Sequence, residues 1–287
     1  MKSLKQYIKV KHIGNYTNES ILDDEDVLLD PERDKEIIKS WIEGNCKIGG
    51  HLKINDDLTV DCSGNVAVKN TNIESLTNGM FRWGKIGGDF YCIGCVNLTS
   101  LNGAPVKVGE DFYCTDCKNL TSLKDAPVKV GKDFDCSYCE NLRSLEDAPV
   151  KVGKDFDCSY CENLRSLEGA PVKVEGDFGC SECNNLKSLK GAPKEVGGCF
   201  KCSGCENLTN LEGVPVKVSE NFYCNYCKNL ISLEGAPKEV GWNFVCSNCE
   251  NLKSLDGVSN PGLKLCCTDC PKLKITDSDY KKYDIES

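Results

Sequence analysis

Eight CxxC pairs recur at a spacing of 22 residues, their first cysteines being Cys92, Cys114, Cys136, Cys158, Cys180, Cys202, Cys224 and Cys246. A ninth pair, Cys267 and Cys270, arrives one residue early. A fixed period of this length marks a solenoid, in which each repeat is one structural turn that buries its apolar face only against its neighbours. The commonest unit reads GxDFxCxxCxNLxSLxGAPxxV.

Each position of the unit has a physical reason. In the copy around residues 130–152, Phe134 and Cys136 are two apart, so on a strand they share a face while Asp135 points the other way. Leu142 and Leu145 return to the interior after a bend, and Val152 packs inward before the next strand. Pro149 lacks an N–H and belongs on the connecting side. Gly169, Gly191, Gly213 and Gly235 fit a tight turn just before that proline, and Asp125 and Asp147 hold the same place. The phenylalanine file includes Phe112, Phe134, Phe156 and Phe178, the leucine files Leu142 and Leu164, and the asparagine file Asn141 and Asn163. All are expected to be structural, the amides satisfying backbone groups in the turns.

The expected fold is therefore a repeat solenoid with a short parallel β-strand per 22-residue turn, mostly strand and loop, with a small N-terminal helical cap. Residues 1–30 are polar and carry an acidic patch, Asp23, Asp24, Glu25 and Asp26, flanked by Ile21, Val27, Leu28 and Leu29; they read as a docking segment or a loose arm. Residues 31–50 read as the helical cap, with Pro31 at the first helical position, Ile37, Ile38, Trp41 and Ile42 as an apolar stripe, and Gly44 and Asn45 at the end. Residues 51–89 read as degenerate first turns, 90–275 as the regular array and 276–287 as a C-terminal tail.

Residues Phe134, Cys136, Cys139, Leu142 and Leu145 follow the leucine-rich repeat pattern LxxLxLxx(N/C)xxLxxLP. Over about residues 50–275 the chain resembles short bacterial leucine-rich repeats, Cys139 taking the place where that family commonly has a ladder Asn or Cys. The whole plan also resembles uncharacterised repeat proteins of gut bacteria and their phages. The resemblance implies protein binding on the strand face and brings no catalytic residues with it.

Nine CxxC pairs raise the question of metal, because CxxC is a zinc half-site and also suits iron or an iron–sulfur cluster. Cys136, Cys139, Cys158 and Cys161 are the candidates. Against them, the first cysteine shares a face with the buried Phe, and every turn presents the same thiols at about 4.8 Å, so nothing sets four apart as a site. Disulfides are a third possibility. Cofactors are expected to be none. Cys199, standing where Asp or Asn is usual, is expected to face outward, and with Cys266 it is the better candidate for a reactive thiol.

The net charge is −9 with no basic stripe in view, so nucleic acid is not an expected partner. No apolar run of about 18 residues marks a membrane span, and none marks a secretory leader. A cytoplasmic location with reduced thiols is the expectation. The two histidines, His12 and His51, lie outside the regular array, and no phosphate-cradling loop occurs, so an enzyme is not expected.

The outward residues vary while the core does not. Tyr91, Tyr113, Asp135, Tyr138, Asp157, Tyr160, Lys201, Tyr223 and Tyr226 form the candidate binding surface, and its acids favour a basic protein partner. The expected function is a non-enzymatic protein–protein interaction scaffold. A structural spacer without a ligand, and a metal-binding or thiol-redox protein using the CxxC pairs, are the alternatives. Oligomeric state is open.

Overall fold

The computed structural model describes residues 31–287. The docking-segment reading of residues 1–30 lies outside the described residues. Each regular turn contributes two very short strands, because two files of the repeat alternate inward and outward. Phe134–Asp135 pairs in parallel with Phe112–Tyr113 on one side and Phe156–Asp157 on the other, Phe opposite Phe. Lys151–Val152 pairs with Lys129–Val130, Val opposite Val. The result is a β-solenoid of about ten turns, its sides a 12-stranded Phe sheet and a 10-stranded Val sheet. Only the Phe-bearing strand was expected from the sequence; Val152 and its equivalents sit on strands of their own.

The core lies between the sheets. The phenylalanines from Phe90 to Phe244 are fully buried and stack turn upon turn, ring centroids 4.9–5.5 Å apart. Leu142, Leu145, Leu164 and Leu167 are equally buried. The chain turns with left-handed backbone two residues before the prolines of the APxxV segments: Gly169 has φ +93°, and Asp125 and Asp147 have φ 68° and 66°. Amides bind one turn to the next, Asn163 Nδ2 donating to the Glu140 carbonyl at 2.9 Å and Asn141 Nδ2 to Asn119 Oδ1 at 3.4 Å.

Both ends are covered. Helix α1 (Pro31–Asn45) buries Ile38 and Ile42, and Trp41 meets Phe81 edge-on at 5.5 Å. Ile37, placed on the apolar stripe from the sequence, is 41% exposed. Phe81, Trp83 and Phe90 continue edge-to-face into the phenylalanine stack. Residues 51–89 open on a hairpin before the parallel stacking. Leu52–Ile54 and Thr59–Cys62 form an antiparallel hairpin, since the link between them is too short for a parallel crossover. Parallel stacking begins where Thr59–Cys62 meets Arg82–Ile86. The expected tail over 276–287 is structured. Helix α2 (Asp277–Lys282) starts on a capping box between Thr276 and Asp279, and Asp284–Glu286 adds a parallel strand beside Lys264–Cys266. Tyr283 is buried, its hydroxyl donating to the Val258 carbonyl at 2.6 Å.

Candidate functional site

The cysteines come first, because a CxxC pair recurs in every regular turn. Cys136, Cys139, Cys158 and Cys161 are fully buried. Cys139 Sγ donates to the Cys114 carbonyl of the preceding turn at 3.2 Å, and Cys161 Sγ to the Cys136 carbonyl at 3.3 Å. Cys117, Cys183, Cys205, Cys227 and Cys249 repeat this bond along the array. Some first cysteines point the other way, Cys158 Sγ donating to the Gly179 carbonyl at 3.2 Å. Donation requires the protonated thiol. Burial pushes the thiols of Cys114, Cys202, Cys224 and Cys246 well above their ordinary range and that of Cys183 up to about 11, whereas hydrogen bonds from Cys92 and Cys95 hold Cys117 down to about 4.

Among the described residues, one group of three metal-capable side chains converges: Asp177, Cys199 and Glu220, ligand atoms within 4.8 Å of one another. Lys201 Nζ already holds Asp177 Oδ2 at 2.6 Å. Cys199 departs from the sequence expectation of an accessible thiol, for it is only 7% exposed, covered by polar side chains of the neighbouring turn and not packed in the apolar core. The reason is a side-chain ladder that the repeat pattern conceals. Asp111, Asp133, Asp155 and Asp177 each accept, through Oδ1, the backbone N–H of the same position one turn on, at 2.7–3.0 Å. Cys199 stands in that file, its Sγ 3.4 Å from Glu220 Oε2 and 3.6 Å from Asn221 Nδ2, and burial raises its thiol. Cys266, the other thiol expected to react, is half-buried and also raised, first by burial and then by Glu286. The more acidic accessible thiol is Cys270, in the last turn. Hydrogen bonds from Cys249 and neighbouring backbone bring it down to about 7.

The candidate binding residues occupy two adjacent files on the outside of the Phe sheet. In the strand file, Tyr91, Tyr113, Asp135, Asp157, Lys201 and Tyr223 are all half-buried. Tyr91 and Tyr113 stack at 5.4 Å and 3°. The Tyr91 hydroxyl donates to Asp89 Oδ2 at 2.7 Å, which raises the phenol to about 12. Asp135 and Asp157 accept the N–H groups of Ser137 and Ser159 at 2.8 and 2.7 Å. Burial nonetheless raises the Asp135 carboxyl.

The second file is the third residue of each CxxC, and it is left-handed throughout the regular turns. Tyr138, Tyr160 and Tyr226 have φ 59°, 60° and 59°, Asp116, Glu182 and Asn248 57–60°, and Gly94 and Gly204 stand at the same place. Tyr138 and Tyr160 stack at 4.4 Å and 4° while remaining 49% and 42% exposed, and Tyr226 is 55% exposed. Gly, Asn and Asp at this position were the available sequence signal for left-handed backbone, and it makes the tyrosines stand out as exceptions. The structure thus gathers Asp135, Tyr138, Asp157 and Tyr160 into one patch over two turns. Tyr91 and Tyr113 lie on the N-terminal side of it, and Lys201, Tyr223 and Tyr226 on the C-terminal side.

Comparison with protein-family models, curated proteins and solved structures returns no match.

Proposed function

We propose that the chain is a protein-binding solenoid of leucine-rich-repeat type, engaging its partner through the outside of the Phe sheet. The observation that carries this is the Tyr138–Tyr160 stack. Two large aromatic rings are held half-exposed on left-handed backbone, which costs an ordinary residue about 1–2 kcal/mol that glycine avoids. Strain kept at an exposed position fits a binding role, and tyrosine supplies contact area at low entropic cost. Asp116, Asp135 and Glu182 around the stack favour a partner carrying Lys or Arg, through charge and cation–π contact. The leucine-rich-repeat assignment rests on the cysteine ladder, where Cys139 bonds backbone in the place of that family's ladder Asn.

No described helix is long and apolar enough to cross a membrane. A reducing, cytoplasmic setting fits thiols engaged as hydrogen-bond donors.

The test is capture of partners, with covalent cross-linking, by wild-type protein and by the Tyr138→Ala/Tyr160→Ala/Tyr226→Ala variant. The variant should keep its circular dichroism spectrum and lose at least about tenfold in enrichment of a defined partner, the scale of losing buried aromatic anchors. Equal enrichment would leave the spacer reading in its place.

A further inference from the structure

The outside of the Val sheet carries a second surface, independent of the tyrosine face. Lys85, Lys107, Lys129 and Lys151 lie directly opposite one another in four consecutive strands. All four are exposed. The ion pairs among the described residues include none of them. Farther along, the same file alternates Lys173, Glu195, Lys217 and Glu239, with Lys173–Glu195 and Lys217–Glu239 paired at 3.8 and 3.3 Å. The repeat therefore accommodates neutralising acids in this file, and Lys107, Lys129 and Lys151 do without them, while Asp61 lies beside Lys85.

Beside the lysines runs an apolar file. Val106, Val128, Val150 and Val172 are 52%, 59%, 78% and 67% exposed. They are linked turn to turn by backbone bonds such as Val128 N–H to the Val106 carbonyl at 3.1 Å. Like charges directly opposite in a sheet destabilise it, and exposed valines gain nothing from burial. Two such files side by side match a ligand that is anionic along one edge and apolar along the other.

We propose that this stripe docks an extended acidic segment of a partner protein, running along the solenoid axis, with acidic side chains over the lysines and alternating apolar ones over the valines. Four lysines at the strand spacing span about 14 Å, the reach of side chains i, i+2 and i+4 on an extended chain. The stripe is narrow. Exposed Asp125, Glu146 and Asp147 lie in the turns just before Val128 and Val150. A planar anionic membrane would meet those acids as well, whereas a single strand would not.

The probe is a fluorescein-labelled decapeptide of alternating Glu and Val, titrated against the full chain by fluorescence anisotropy at two salt concentrations. Saturable binding that weakens with salt is expected. It should weaken about tenfold or more in Lys107→Glu/Lys129→Glu/Lys151→Glu, measurably in Val128→Thr/Val150→Thr, and not at all in Tyr138→Ala. Lys107→Gln/Lys129→Gln/Lys151→Gln, which removes charge without adding any, should also weaken it. Absence of saturable binding, or binding by both lysine variants as tight as by the wild type, overturns the proposal. So does lysine-dependent binding to phosphatidylserine vesicles without binding to the peptide. Carbodiimide cross-links from these lysines to the chain's own Asp23–Asp26 would overturn it too, by assigning the stripe to this chain itself.

Discussion

At the residue scale the solenoid is set by which side chains accept a left-handed backbone. Asp147 and Gly169 occupy the same turn in adjacent copies, with φ 66° and 93°. Asp147→Gly should raise stability by about 0.5–1 kcal/mol, the relief of left-handed strain less the glycine entropy. Gly169→Ala should lower it by about 2 kcal/mol, because a Cβ there runs into the Leu145 backbone. Urea unfolding of the two variants checks both signs. Phe156 is fully buried between Phe134 and Phe178, so Phe156→Ala should cost about 3–5 kcal/mol in the same assay. The thiols give a pH dependence. Burial raises the folded values of Cys114, Cys202, Cys224 and Cys246. Between the unfolded and folded values the unfolded chain holds fewer protons, so stability falls as pH rises. The loss should begin near pH 8.5 and steepen by about 1.4 kcal/mol per pH unit for each such thiol. Unfolding midpoints at pH 7, 9 and 10 should fall in that order; a flat profile would mean the thiols are not buried as protonated groups.

At the scale of the element, each turn is a frame in which three side-chain files bond backbone: the second cysteines, the asparagines and the Asp file. Asp155 accepts from Asp177 N–H while its own N–H bonds Asp133. Asn65 and Asn221 accept in the same way at this file. Asp155→Asn should therefore be nearly neutral. Asp155→Ala should cost about 1–3 kcal/mol, the penalty for a donor left without its partner. Comparing the two separates hydrogen bonding from charge. This frame was only partly legible in the sequence. The Phe, Leu and Val files follow from alternation, and Pro149 with Asp147 follows from turn chemistry. The covering of Cys199 did not follow, because only the stacking shows that Asp111 and Asp155, in the same file, reach the next turn. The second strand at Lys151–Val152 was missed for a related reason: two residues carry no period of their own. Of the candidate site, Tyr138 and Tyr160 were picked for variability. Their left-handed backbone, which sets them apart, needed the CxxC file to be compared across turns.

At the scale of the whole molecule, the chain is a stack with a cap at each end and two unlike outer faces, one of tyrosines and acids, the other of lysines and valines. Residues 129–150 and 151–172 differ only at Asp147 and Gly169, so removing residues 151–172 should leave a folded, shorter solenoid. Circular dichroism should retain its shape, while one tyrosine of the stack is lost. The account depends throughout on the cysteines being free thiols, most of them buried, with the second of each regular pair bonding backbone. Native mass spectrometry of protein purified without reductant or chelator, set beside the denatured mass, tests this most directly. The expected result is an intact mass with every thiol free and no metal. Stoichiometric zinc or iron, or a loss of about two daltons per cysteine pair, would contradict it and transfer the function from the outer faces to the thiols.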